Sequence, residues 1–120
     1  MYLKTAGKIG YDNVTEAQLR EAFRDDKGRG EFIILSHEKD GKHFLQAANS
    51  GEGDDPFIIE YQEGDRKHHF YTKGEYPKAQ IEQAFLSYLN GDERWRTDFP
   101  WMQEKSLWQV LVGWFKNGSH

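Results

Sequence analysis

A chain of 120 residues, 37% hydrophobic and 30% charged, has enough material for one hydrophobic core and too little for two, because domains cluster near ~100–150 residues, and this balance excludes a disordered chain. With no cysteine, disulfides, thiolate catalysis and cysteine-based zinc sites are excluded. A net charge of -4 argues against a nucleic-acid binder, which carries a basic stripe, and no apolar run reaches the ~18 residues that span a bilayer.

The N-terminus, Met1-Tyr2-Leu3-Lys4-Thr5, has no signal-peptide core, so a cytoplasmic location is expected. Tyr2-Leu3-Lys4-Thr5 and Lys8-Ile9-Gly10-Tyr11 alternate as a short first strand does. Thr15 and Gln18 have the spacing of a capping box, with Val14 and Leu19 as its hydrophobic staple. Leu19, Ala22 and Phe23 then share one face, which predicts a helix over 15–26, ended by Lys27-Gly28-Arg29-Gly30. Phe32-Ile33-Ile34-Leu35 reads as a central strand, and Asp40-Gly41 as a hairpin turn that leads back through His43 to Ala48. After a Gly/Asp loop, Pro56 opens a strand over Phe57 to Tyr61, and Glu63-Gly64-Asp65 turns the chain into another from Lys67 to Thr72.

Pro77 suits a first helical position, Ile81, Ala84, Phe85, Tyr88 and Leu89 follow helical spacing, and Gly91 is a stop, so a helix is predicted over 77–90. Trp95, Phe99 and Trp101 surround Pro100, which argues against a regular helix there. Leu107, Val110, Leu111, Trp114 and Phe115 predict a last amphipathic helix over 104–116. Gly118-Ser119-His120 reads as a tag remnant, leaving 1–117 as a single domain. The expected fold is α+β: an antiparallel meander sheet of four or five strands, packed with an N-terminal helix and two C-terminal helices. Phe32, Ile34, Leu45, Ile58, Phe85, Leu89, Leu111 and Trp114 are its expected core.

Residues able to do chemistry form no motif. His68 and His69 are neighbours on an expected strand and point to opposite faces. His37 and His43 flank the hairpin and can converge, but no H-x-x-x-H or H-E-x-x-H spacing accompanies them. No serine lies in a G-x-S-x-G context. Gly28-Arg29-Gly30 and Gly51-Glu52-Gly53 do not open a helix as a phosphate loop does. No catalytic residue, cofactor or metal is therefore expected, and the chain reads as a binding protein rather than an enzyme.

The candidate partner-binding residues are acidic. From Asn49 to Asp65 the chain carries Glu52, Asp54, Asp55, Glu60, Glu63 and Asp65 with no Lys or Arg. Such a field either keeps the surface solvated or steers a basic protein. Glu60 is also placed to pair with a cation on the next strand. Trp108 falls off the apolar stripe of the last helix, as a lid over the sheet or as an exposed anchor for a partner.

The order of these pieces also resembles a known family. The carriers are Glu60-Tyr61 in the third strand of the meander, then Ala84-Phe85-x-x-Tyr88-Leu89-x-Gly91-Asp92, with Trp95 following three residues later. Over roughly Glu31 to Trp101 the chain is similar to an immunity-protein family of bacterial polymorphic-toxin systems. The resemblance implies a small cytoplasmic α+β protein that binds a cognate protein toxin and blocks it. The last helix, Glu104 to Lys116, departs from the family pattern. An acidic domain suits a basic toxin of nuclease or deaminase type. The alternatives are a homodimeric adaptor and, behind it, a histidine-dependent metalloenzyme.

Overall fold

In the computed structural model, residues 1–51 and 55–104 are described. Strand β1 (Tyr2–Thr5) pairs with the short β2 (Gly10–Tyr11) on one side and with β3 (Phe32–Ser36) on the other. The meander continues through β4 (His43–Asn49), β5 (Phe57–Glu63), β6 (His69–Tyr71) and β7 (Met102–Gln103), every pairing antiparallel. The sheet has seven strands in the order β2-β1-β3-β4-β5-β6-β7. The α+β class is as expected. The strand count is higher because β2 and β7 are two residues each, too short to show a period of two.

Helix α1 (Glu16–Arg24) starts on the expected capping box: the Thr15 side chain accepts from Gln18 N–H, and the Gln18 side chain accepts from Thr15 N–H. It ends earlier than 26. Asp25 closes it and opens a second short helix, α2 (Asp26–Arg29), by accepting from Gly28 N–H at 2.9 Å. The glycine here serves close backbone approach. A Cβ on Gly7 would sit 2.2 Å from the Gly28 carbonyl oxygen, and Gly7 and Lys8 N–H donate to the Arg29 and Gly28 carbonyls. Arg29 itself is buried, donating to the carbonyls of Ala22 and Phe23 at the end of α1 and pairing with Asp26.

Helix α3 (Lys78–Asn90) lies against β4 and β5 and meets α1 through an edge-to-face contact of Phe23 with Phe85, ring centroids 5.2 Å apart. Pro77 caps it from outside instead of being its first residue, and the side-chain cap comes from Asp55, whose Oδ1 accepts from Lys78 N–H at 2.6 Å. A four-residue helix α4 (Arg94–Thr97) then places Trp95 in the core. The helix expected over 104–116, with Leu111 and Trp114, lies outside the described residues apart from Glu104.

The core is one layer between the sheet and α1 and α3. Leu3, Ile33, Leu35, Leu45, Phe57, Ile59 and Tyr61 supply its sheet side, and Leu19, Phe23, Ile81 and Phe85 its helix side. Leu45 and Phe85 are buried as expected, and Leu89 is half-buried at the margin. Phe32, Ile34 and Ile58 are not core: they point to the opposite face, where Ile58 is 38% exposed and the other two are half-buried. The cause is a one-residue phase error. A run that is apolar at consecutive positions carries no phase, and a slip of one flips every side chain. The pairing fixes it: Leu45 stands opposite Leu35 and Tyr61, so those residues share its face.

Candidate functional site

Among the described residues, the members of the acidic stretch do not form one patch. Strand β5 separates its members along seven residues, ~20 Å at the rise of an extended chain. Asp55 sits at the start of β5, capping α3; Glu52 and Asp54, like Trp108, lie outside the described residues. Glu63 and Asp65 sit at the other end. Asp65 caps a 3-10 turn over Arg66–His68 and pairs with His68, which pulls its carboxyl below the usual range. His68 is thus in this turn rather than in the expected strand. Glu60 lies between the two ends, on the face away from the helices. Its Oε2 accepts from Gln46 Nε2 at 2.6 Å and lies 3.3 Å from His69 Nε2. The hydrogen bond with His69 outweighs desolvation and holds the Glu60 carboxyl below its usual value.

Where β5 ends, Glu63 borders a cleft of about 440 Å³. The β3–β4 hairpin contributes His37, just after β3, and His43, the first residue of β4; the His37 N–H donates to the His43 carbonyl, and the rings stand edge-on with centroids 6.3 Å apart. Glu38 beside them accepts from the backbone N–H and contacts the ring Nδ1 of His43, and these bonds outweigh its desolvation, so its carboxyl stays low. The other wall is the C-terminal end of α3, with Tyr88, Gly91, Asp92 and Glu93. Asp92 accepts from the backbone and side chain of Arg94 and from the Ser87 hydroxyl, which hold its pKa down to about 2. Ser87 in turn accepts from Trp95 N–H. The floor is aromatic. Tyr88 and Trp95 are buried, and burial pushes the Tyr88 hydroxyl well above its usual pKa. Arg96 lies over the Trp95 ring, 4.4 Å from its centroid, and bridges Glu63 and Glu93.

The cleft is rich in carboxylates, paired with the chain's own cations. Carboxylates of Glu38, Glu63, Asp92 and Glu93 gather where the 13-residue α3 presents the negative end of its dipole, over π faces that attract cations. Arg96 shows how a guanidinium sits there. The Gly91-Asp92 and Trp95 positions carried the family resemblance in the sequence; Glu38, Glu93 and Arg96 were missed, because the Glu63–Arg96 pairing joins distant segments that no local pattern connects. Among the described residues, no three His, Asp or Glu side chains are grouped to hold a metal ion.

A second surface is the sheet face away from the helices. Phe32, Ile34, Ala48 and Ile58 form a shallow apolar depression of about 310 Å³, bounded by Gln46 and Glu60. Gln62 and His69 continue it, with His69 Nδ1 3.2 Å from Gln62 Oε1. No helix among the described residues is long and apolar enough to cross a membrane. No protein-family model, curated protein or solved structure matches the chain.

Proposed function

We propose that this chain is an immunity protein, acting in the cytoplasm, that binds a cognate bacterial toxin domain of basic, nuclease or deaminase type and neutralises it by covering its cationic groove. The observation that carries the reading is the acid-rimmed aromatic cleft. Its carboxylates outnumber the arginines they hold, and a dipole end of the same sign backs them. A lysine or arginine from a basic partner finds there the exposed carboxylates of Glu63 and Glu93, beside the guanidinium of Arg96 that they already hold. The cleft includes the Tyr88…Gly91-Asp92…Trp95 run that carries the family resemblance.

The test uses the toxin domain that this reading places in the gene neighbouring this chain's. Glu63 and Glu93 are 40% and 70% exposed at their side chains and both hold Arg96, so Glu63→Lys with Glu93→Lys sets three cations together and a denaturant melt first establishes that the variant is folded. The double variant is expected to associate roughly tenfold more slowly at low salt and to lose the salt dependence of association. Association at the wild-type rate removes the cleft from the interface. Failure of the wild-type chain to bind or protect against the toxin removes the immunity reading itself.

A further inference from the structure

We infer that the open face of the sheet is the interface of a symmetric dimer, in which a second copy of this chain lies face to face on the first and Lys4 of each copy stands opposite Glu60 of the other. The inference is independent of the toxin reading. The acid-rimmed cleft is lined from α3 and α4, on the helix side, and stays open in such a dimer.

The first ground is charge placed by register. Lys4, Ile34, Gln46 and Glu60 form one row across β1, β3, β4 and β5. Lys4 and Glu60 end that row three strand spacings apart, ~14 Å at ~4.8 Å each, too far to pair within one chain. Lys4 is exposed and holds no carboxylate among the described residues. A two-fold axis parallel to the strands, midway between β3 and β4, lays β1 of one copy over β5 of the other. It sets Lys4 against Glu60 twice, across the ~10 Å between packed sheets. The pairs lie ~7 Å from the axis, so the ~30° rotation of aligned sheets shifts them by only ~4 Å. The stems of lysine and glutamate together span that gap.

The second ground is shape. The same axis sets Phe32 against Ala48 and Ser36 against Phe44, because each pair is in register across β3 and β4. A large side chain thus meets a small one in each of these rows, which fills the space between the sheets without overlap. An axis along β4 itself would set Phe32 on Ile58 and Lys4 on Tyr71, losing both complements. Gln46, the polar residue near the centre, already donates to Glu60 and enters the contact with a partner.

The third ground is the pattern of the strands. Phe32-Ile33-Ile34-Leu35 and Phe57-Ile58-Ile59 are apolar without alternation, as strands covered on both faces are. Among the described residues only the Ile33, Leu35, Phe57 and Ile59 side is covered. Two depressions on the other side, of about 310 and 530 Å³, share Ile34 and Gln46 and make one trough. With a cation at one end of its central row and an acid three strands away, the trough complements itself rather than a uniformly basic surface.

Sedimentation of the full chain up to about 100 μM, where interfaces of modest area assemble, is expected to show a monomer–dimer equilibrium. Lys4→Glu and Glu60→Lys each turn two attractive pairs into two repulsive ones, and each is expected to raise the dimer Kd at least about tenfold. Mixed in equal amounts, the two variants restore both pairs and should form a heterodimer at close to the wild-type Kd. Glu60 also holds Gln46 and His69, so a denaturant melt first establishes that its variant is folded. Ala48→Glu tests the contact without touching that residue: it puts a carboxylate where Phe32 of the second copy sits, and should abolish the dimer. A wild-type chain that stays monomeric overturns the inference. So does a dimer indifferent to Ala48→Glu, or a mixture of the charge variants no tighter than either alone.

Discussion

Glu60 holds the open face by charge, and its role is readable through pH. Its carboxyl titrates below the ordinary value of 4.5 because His69 donates to the ionised form. A lowered folded-state pKa adds stability that is fully present above the unfolded value. That stability is lost as pH falls through the folded value. Glu60→Gln is therefore expected to cost about 1 kcal/mol at neutral pH, the low end for a charge-assisted hydrogen bond because a third of the side chain meets water. The gap between variant and wild type should close in acid, where both are uncharged at this position; denaturant melts across the acid range check it. A gap constant with pH leaves shape, not charge, as the contribution. In the core, Phe85 is fully buried against Phe23, and Phe85→Ala should cost about 3–5 kcal/mol in a denaturant melt.

At the scale of elements, α3 depends on a residue far away in sequence. Pro77 has no side chain to cap the helix, and Asp55 supplies the acceptor for Lys78 N–H. Asp55→Ala should cost about 1 kcal/mol, whereas Asp55→Asn should keep most of it, because an amide oxygen caps nearly as well. Thermal melts of the two variants separate the cap from the charge. Elements with a local signal were legible in the sequence: the α1 capping box, the α3 stripe with its Gly91 stop, and the four strands of the meander. Not legible were features that depend on distant partners. β2 and β7 exist because β1 and β6 offer them an edge. The burial phase of Phe32–Leu35 and Phe57–Ile59 was ambiguous because neither run alternates. Around Leu45 only Gln46 is polar and Phe44 is not, so the phase there comes from the register against Leu35 and Tyr61. Of the candidate site, Glu63 was found from the sequence. Of the acidic stretch read there as one landing surface, the described Asp55 and Glu63 stand at opposite ends of β5.

For the whole molecule that division is the sharpest test of how charge is used. Asp55 sits at the start of β5, where it caps α3, whereas Glu63, with Asp92 and Glu93, borders the cleft at its end. The ~20 Å between them exceeds the Debye length, ~8 Å at physiological salt, so the two groups act on an approaching partner almost separately. Charge reversal at the sequence neighbours of Asp55, Glu52→Lys with Asp54→Lys, is expected to change association with a basic partner by less than about twofold near physiological salt. Reversal at the cleft, Glu63→Lys with Glu93→Lys, changes net charge by the same amount and should slow association roughly tenfold. Equal net charge makes the comparison independent of global attraction, which at low salt acts on both variants alike. Stopped-flow association at two ionic strengths measures it. If both variants slow equally at physiological salt, the partner reads only the overall charge of the chain. If the Glu52→Lys, Asp54→Lys variant slows more, the recognition surface belongs at the β5 start, around Asp55 and the N-terminus of α3.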